Sequence, residues 1–416
     1  MSRHRSTALS SLGPTPRAAR RVEGGFTLVE LMVALSGGLF LSMVVFALAR
    51  DTTRFYQREG RIASATLAGI IGFERLKADI ERAGYLSTPN VAADPLSGVP
   101  AGSLPTGLQN LAAVRITPDT PSLTGNAAFA LNASAGQALA PDQIVLSGSY
   151  SATDEFAVSE ASDGQTITLQ PNSPPMARLG YLGTTDSAVQ TALLQNVFGA
   201  AAGQILRYKN VKTGRFYLGQ IASVAGGTRP TITLSTPLPI TATSAGIGGV
   251  AGYGTGDSVN VVNIVRYRVM DLQHDSLGTA WTALFTASQG ATGEDARTEL
   301  VRDQLNSTGG VVANSTEIVA EYAVGLEFAV FGQLAIGNPT LALSVPTDST
   351  FATYTGTRPQ GIRAVRMRLS VRSREGDRAA KISGGLFRFR IGTSEWARVR
   401  NFQADIALPN QRSVRW

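Results

Sequence analysis

Three patterns of apolar and polar positions follow one another along the chain. Residues 26–49, FTLVELMVALSGGLFLSMVVFALA, form an apolar run of 24 residues broken by one charge, Glu30. At about 1.5 Å per residue, that run predicts a helix of about 36 Å, enough to cross a bilayer core of ~30 Å with some tilt. Next, Ile62, Thr66, Ile70, Phe73, Leu76, Ile80 and Ala83 recur every three or four positions, the stripe of an amphipathic helix. The opposite face holds Arg58, Arg61, Glu74, Arg75, Lys77, Asp79, Glu81 and Arg82, with Lys77 and Glu81 placed as an i,i+4 ion pair. Gly84 suits a helix C-terminus and Pro89 blocks continuation. The two stretches together predict one helix over 26–83, about 87 Å long.

Beyond Leu86 the pattern changes to short apolar runs between clusters of Gly, Pro, Asn, Asp and Ser, the signature of β-strands and turns. Strands are expected at 113–117, 143–147, 165–169, 204–208, 216–221, 231–234, 258–270, 281–286, 318–331, 363–372, 385–391 and 398–408. Residues 90–112, 120–140, 172–200 and 241–256 are rich in small residues and read as loops or insertions. In Arg366-Met367-Arg368-Leu369-Ser370-Val371-Arg372 and in Phe387-Arg388-Phe389-Arg390-Ile391, polar and apolar residues alternate strictly. Each run puts arginines on one face and apolar groups on the other. The two are expected to pair as a hairpin across 373–383. The fold class is therefore α+β. A long N-terminal helix, with a membrane half (26–49) and an amphipathic half (50–84), packs on a large antiparallel β-sheet head (85–416).

Composition narrows the chemistry. The chain has 416 residues and no cysteine, which removes thiol catalysis, disulfides and thiolate metal sites. Its two histidines, His4 and His274, cannot build a multi-histidine metal site. The net charge of +7 is distributed unevenly. Residues 1–25 hold five arginines against Glu23, and 358–416 hold 14 basic and 4 acidic residues. The stretch between is therefore acidic, so the chain is polarised along its length.

Three readings of the apolar run compete. A cleaved secretory signal has an apolar core of about 7–15 residues before a small-residue site; Ala47-Leu48-Ala49 would serve as the site, but the run is too long and contains an acid. A plain membrane anchor explains the length and leaves Glu30 unexplained, although a carboxylate at the centre of a bilayer costs roughly 2–3 kcal/mol. The third reading accounts for both. Gly24-Gly25-Phe26-Thr27-Leu28-Val29-Glu30, after a basic leader, resembles the type III signal of type IV prepilins. The resemblance implies that residues 1–25 are a leader, removed after Gly25 by a prepilin peptidase that then methylates Phe26. It also implies that Glu30 neutralises the N-terminal amine of a neighbouring subunit. A charge pair of that kind would fix axial register, because a slip leaves both charges unpaired in an apolar medium. The basic leader places the N-terminus in the cytoplasm and the head outside. Gly37 and Gly38 are read as a helix-packing site of small residues, with local melting as the competing reading.

The resemblance narrows further along the chain. FERLKADIERAGYL at 73–86, IVAEYAVGLEF at 318–328, AVRMRLSVRS at 364–373 and VRNFQADIALPN at 399–410 are similar, in the same order, to blocks of the PilW family of minor pilins. This implies a subunit that joins other minor pilins and the major pilin, primes pilus assembly and sits at the tip beneath a PilY-type adhesin. Before assembly it would be held in inner-membrane lipid. A type II secretion pseudopilin shares the N-terminal motif, and a secreted β-rich adhesin or hydrolase remains the reading if cleavage follows Ala49.

Nothing in the sequence points to an enzyme, a cofactor or a metal. Gly246-Ile247-Gly248-Gly249-Val250-Ala251 imitates a dinucleotide fingerprint without its strand-and-helix context, and Asp271, His274 and Asp275 read as a polar turn. Arg366, Arg368, Arg372, Arg388 and Arg390 form a candidate partner-docking face, weighed against a merely solvated sheet face. The aromatics Phe387 and Phe389 fall on the opposite side, so no nucleic-acid platform is expected.

Overall fold

The structure is a computed structural model that describes residues 27–118, 141–161, 163–199, 203–240, 256–270, 297–333, 341–374, 388–391, 395–412 and 414. The chain divides into two units, Met1–Glu59 and Gly60–Trp416. One continuous helix, α1 (Leu28–Arg82), runs from the first into the second.

In the first unit Leu28–Gln57 contains an 18-residue window of mean hydropathy 2.3, and it is long and apolar enough to cross a membrane. The hydroxyls of Ser36, Ser42, Thr52 and Thr53 donate back to the carbonyls of Val33, Gly38, Leu48 and Ala49. These polar groups therefore need no solvent, as an apolar surrounding demands.

The second unit contains two antiparallel sheets and the end of α1. The first sheet holds β1 (Val114–Thr117), β2 (Gln143–Gly148), β3 (Phe156–Glu160), β4 (Thr166–Leu169), β5 (Ile205–Lys209), β6 (Phe216–Ala225), β7 (Thr231–Leu234), β8 (Ser258–Met270), β9 (Glu299–Leu305) and β10 (Glu317–Ala320). The second runs in the order β12 (Ala342–Ser344), β11 (Ala323–Gly332), β13 (Ile362–Arg372), β15 (Glu395–Ala407), β14 (Arg388–Ile391).

β8 organises the first sheet. Its N-terminal half pairs with β3 on one side and β5 on the other, and its C-terminal half pairs with β2 and β9. The pairings β3–β4, β4–β7, β7–β6 and β6–β5 complete a closed ring of six strands, β8-β3-β4-β7-β6-β5. Phe156, Val158, Ile167, Leu169, Leu206, Tyr208, Ile221, Ile232, Leu234, Val259 and Val261 share its core. Helices α3 (Pro174–Arg178) and α4 (Ser187–Phe198) add Met176, Leu194 and Phe198 to that core. Closure removes the free edges a flat sheet would leave.

The first half of β8 is covered on both faces: Val259 and Val261 face the core of the ring and Val262 and Ile264 an outer one, so burial is unbroken from Val259 to Val265, whereas Arg266 and Arg268 alternate with buried residues beyond it. The outer cover comes from residues 91–111, which include the short helix α2 (Thr106–Gln109). Val91, Leu104, Leu108 and Leu111 pack on Ile205, Phe216, Val262 and Ile264.

The end of α1 closes the main core. Phe73, Leu76, Ile80 and Ala83 are buried with Ile144, Leu146 and Tyr267 of the first sheet and Leu326, Phe328, Met367, Leu369 and Ile406 of the second. Gly69 and Gly72 let the helix backbone approach this closely: an added Cβ would lie 2.3 Å from the Phe402 ring and 2.6 Å from Ala320 Cβ. Gly84 ends the helix with φ +80, a conformation glycine adopts without a Cβ clash.

Several expectations are corrected. The predicted stripe holds from Phe73 to Ala83, but Ile70 is exposed; Gly69 and Gly72 take the inward positions there. Asp79, assigned to the solvent face, is buried, and Lys77 pairs with Glu74 rather than Glu81. The strand predicted at 318–331 is two strands, broken at Tyr322, whose φ of +56 turns the chain from one sheet into the other. The runs at 366–372 and 387–391 are not a hairpin, because β15 pairs with both of them. Residues 90–112 and 172–200 are not plain loops: the first buries four large apolar side chains and the second contains α3 and α4. The strands β3, β9 and β12 were not anticipated. The strand predicted at 281–286, the insertion predicted at 120–140, that predicted at 241–256 except for Gly256, and the loop expected at 373–383 beyond Arg374 lie outside the described residues.

Buried polar groups fix how α1 sits on the first sheet. Tyr267 Oη and Arg302 Nε donate to Asp79 Oδ2 at 2.6 and 2.9 Å, and Tyr150 Oη donates to the Asp79 carbonyl at 2.9 Å. Burial, reinforced by the Asp79 charge, lifts both phenols well above their ordinary range and keeps them donors. Nearby, the fully buried Asp303 accepts from Arg266 Nη2 at 2.7 Å and Arg268 Nε at 3.0 Å.

Two predictions follow from these groups. Asp79→Ala leaves the Arg302 guanidinium half-stranded under the helix and should destabilise the protein by about 3 kcal/mol. Thermal unfolding followed by circular dichroism checks this, and a loss under ~1 kcal/mol would show that the clamp is not needed. Glu299 is buried beside Arg297 and accepts the Tyr322 N–H at 3.2 Å; burial pushes its carboxyl up to about 7. The folded protein therefore keeps a proton that the unfolded chain sheds near 4.5. Its contribution to stability is full below that pH and is lost as pH rises to about 7, by an amount on the order of 3 kcal/mol. Glu299→Gln should flatten this part of the stability–pH curve, read as the difference from wild type between pH 5 and 7.5.

Candidate functional site

The first group of candidate residues lies at the start of α1. Gly24, Gly25 and Phe26 are outside the described residues. Thr27 precedes the first helical residue and Glu30 lies in the first turn. Thr27 N–H and Oγ1 both donate to Glu30 Oε2 at 3.0 Å, and Glu30 N–H donates to Thr27 Oγ1 at 3.2 Å. This is a reciprocal capping box. It points the carboxylate back toward the helix N-terminus, where the aligned peptide dipoles also favour it. Both bonds to the carboxylate fall on Oε2, and the Glu30 side chain is exposed. Thr27 was not singled out from the sequence, although the T-x-x-E spacing of Thr27 and Glu30 announces the motif.

Further along, α1 passes through Gly37 and Gly38 without a break. A Cβ added at either glycine would meet nothing within 4 Å, so no part of the described chain packs there. From Leu28 to Leu48, every large apolar side chain is at least 50% exposed. A soluble monomer rarely presents apolar surface of this extent, and such surface marks a membrane or protein contact.

The second group is the arginine row on β13. Arg366 forms a forked pair with Asp405 of β15, Nε–Oδ1 2.7 Å and Nη2–Oδ2 2.8 Å, with Phe331 beneath it at 5.2 Å. That bond holds the Asp405 carboxyl below its usual range and raises Arg366. Arg368 pairs with Glu327 of β11, and Ser370 Oγ donates to Asn401 Oδ1 at 2.6 Å. Each partner sits directly across the strand from its mate. The row is thus a ladder of neutralised cross-strand pairs. Arg372, expected on the same face, is fully buried. It donates to the carbonyls of Ser373 and Arg374 at 3.1 and 3.0 Å and stacks 5.0 Å from the Tyr322 ring, which Arg297 also approaches at 4.7 Å. The backbones of Arg388 and Arg390 lie in β14, opposite Arg398 and Trp396; their side chains are outside the described residues. The expected Gly246–Ala251 and Asp271–Asp275 positions are also outside them.

Because the Arg366–Asp405 pair is solvent-facing, Arg366→Gln should leave stability nearly unchanged. A clearly shifted chemical-denaturation midpoint would show the ladder to be a structural requirement.

Comparison with known protein families, curated proteins and solved structures finds no match to this chain.

Proposed function

We propose that the chain is a subunit of the type IV prepilin class, a minor pilin resembling the PilW family, and not an enzyme. The observation that carries this reading is the exposed apolar helix that begins directly behind Gly24-Gly25-Phe26-Thr27 and holds one acid, Glu30, in its first turn. A prepilin peptidase would release residues 1–25 and methylate Phe26. The helix then rests in inner-membrane lipid with the head in the periplasm, until other minor pilins and the major pilin take the place of lipid along it.

The capping box supports the role given to Glu30. Its Oε2 is bonded within its own helix, and the exposed carboxylate is open to the amine of a neighbour. In an apolar surrounding such a pair forms only in register. The bare surface at Gly37 and Gly38 suits close helix packing against another subunit. Priming of assembly, a place at the pilus tip and support of a PilY-type adhesin belong to this reading through the family resemblance.

The membrane-extracted protein should begin at a methylated Phe26; a chain beginning beyond residue 49 would overturn the reading. Glu30→Ala should leave cleavage intact and reduce incorporation into pili by about tenfold or more, scored by immunoblot of sheared pili. Normal piliation in that variant would remove Glu30 from assembly. A deletion strain that pilates normally but fails to secrete proteins would point to a pseudopilin instead.

A further inference from the structure

A cleft of about 340 Å³ opens where the end of α1 meets the closed ring of strands. Arg82 enters it from the last turn of α1, Tyr150 to Asp154 from the loop between β2 and β3, and Arg178, Leu179 and Val197 from α3 and α4. We propose that this cleft seats a carboxylate side chain of a partner polypeptide and is a docking point of the assembled subunit. The inference rests on the assembly reading above and adds a surface and a partner chemistry to it.

The charge balance supports the assignment. Arg178 forks onto Asp154, Nη2–Oδ1 2.6 Å and Nε–Oδ2 3.2 Å, so that acid is already matched. Arg82 Nη2 donates to the Ser149 carbonyl at 2.9 Å, and its guanidinium lies 5.7 Å from the Tyr150 ring. A carbonyl and a ring orient a guanidinium without neutralising it. No carboxylate among the described residues pairs with Arg82, which leaves one net positive charge in the wall. The loop adds backbone donors. The carbonyls of Ala152 and Thr153 accept from Ser149 Oγ and Tyr85 Oη, while the N–H groups of Ala152, Thr153 and Asp154 have no acceptor among the described residues. Guanidinium and successive N–H donors together recognise a carboxylate.

The apolar part of the wall decides the kind of anion. Tyr150, Leu179 and Val197 would cover methylene groups, and one net charge matches a single carboxylate better than a phosphate dianion. The volume is at the low end for small-molecule sites, which suits a side chain inserted from a polypeptide lying across the opening.

The test uses the full chain in detergent micelles and fluorescence polarisation at low ionic strength. The probe is an end-blocked fluorescent peptide, Ser-Val-Glu-Val-Ser, compared with its Gln counterpart. The Glu peptide should bind about tenfold tighter than the Gln peptide. That preference should vanish in Arg82→Gln, fall in Arg178→Gln, where Asp154 is left unmatched, and grow in Asp154→Asn, which releases Arg178. Arg178 is 60% exposed, so its variant tests the cleft even if Arg82→Gln fails to fold. Equal binding of the two peptides, or a Glu preference that survives in Arg178→Gln, would overturn the proposal. So would tighter binding of inorganic phosphate, or of a Gln peptide with a free C-terminus. The outcome is separable from the assembly reading: a chain that starts beyond residue 49 yet prefers the Glu peptide sinks only the latter, and a methylated, pilus-incorporated chain without the preference sinks only the cleft.

Discussion

The head depends on one seam, where the last turns of α1 are buried against two sheets at once. Phe73, Leu76, Ile80 and Ala83 supply apolar surface that neither sheet could cover alone. Burial of Phe73, Leu76 and Ile80 contributes roughly 1.5–3 kcal/mol each, but burial is non-directional and would tolerate a rotated or shifted helix. Asp79 removes that freedom. Its carboxylate must meet Tyr267 and Arg302, and its carbonyl must meet Tyr150. A slip of one residue would strand a buried charge on both sides. The seam thus combines a strong, unspecific force with a costly, specific one.

The same division of labour recurs elsewhere. In the closed ring, apolar burial inside and the cover of residues 91–111 outside hold β8 without direction, and the hydrogen-bond register set by its four neighbours fixes it. In the second sheet, the outer face is a ladder of acid–base pairs that gain little in water, yet each pair marks which residues stand opposite one another. At Tyr322 the chain crosses between the sheets with a positive φ, held by two guanidinium groups on the ring and Glu299 on the backbone. Strain of this kind persists only where the surroundings over-determine it.

Charge illustrates why composition alone misleads. The C-terminal stretch is strongly basic, and the arginines of β13 alternate as an exposed cationic row would. Folding places Asp405 and Glu327 directly opposite Arg366 and Arg368 and buries Arg372. The acids that neutralise the row are about 40 positions away in the chain, a distance at which spacing carries no information. Arg82 shows the reverse: on a helix surface among other charges it was unremarkable, and it gains significance from the loop and helices that the fold brings around it.

The sequence by itself determined the features that are local. A 24-residue apolar run with one acid is a helix in an apolar surrounding, because its backbone must satisfy itself there, and the alternation along 366–372 specifies extended chain. Even the capping box is local, since Thr27 and Glu30 are three residues apart. What the tertiary structure decided is everything that pairs distant segments. The closure of six strands, the insertion of β15 between β13 and β14, the burial of Asp79 and the conversion of small-residue stretches into α4 and an outer cover all depend on partners tens to hundreds of residues away. The free energy of each such pairing is shared between both partners, and neither sequence segment records it alone.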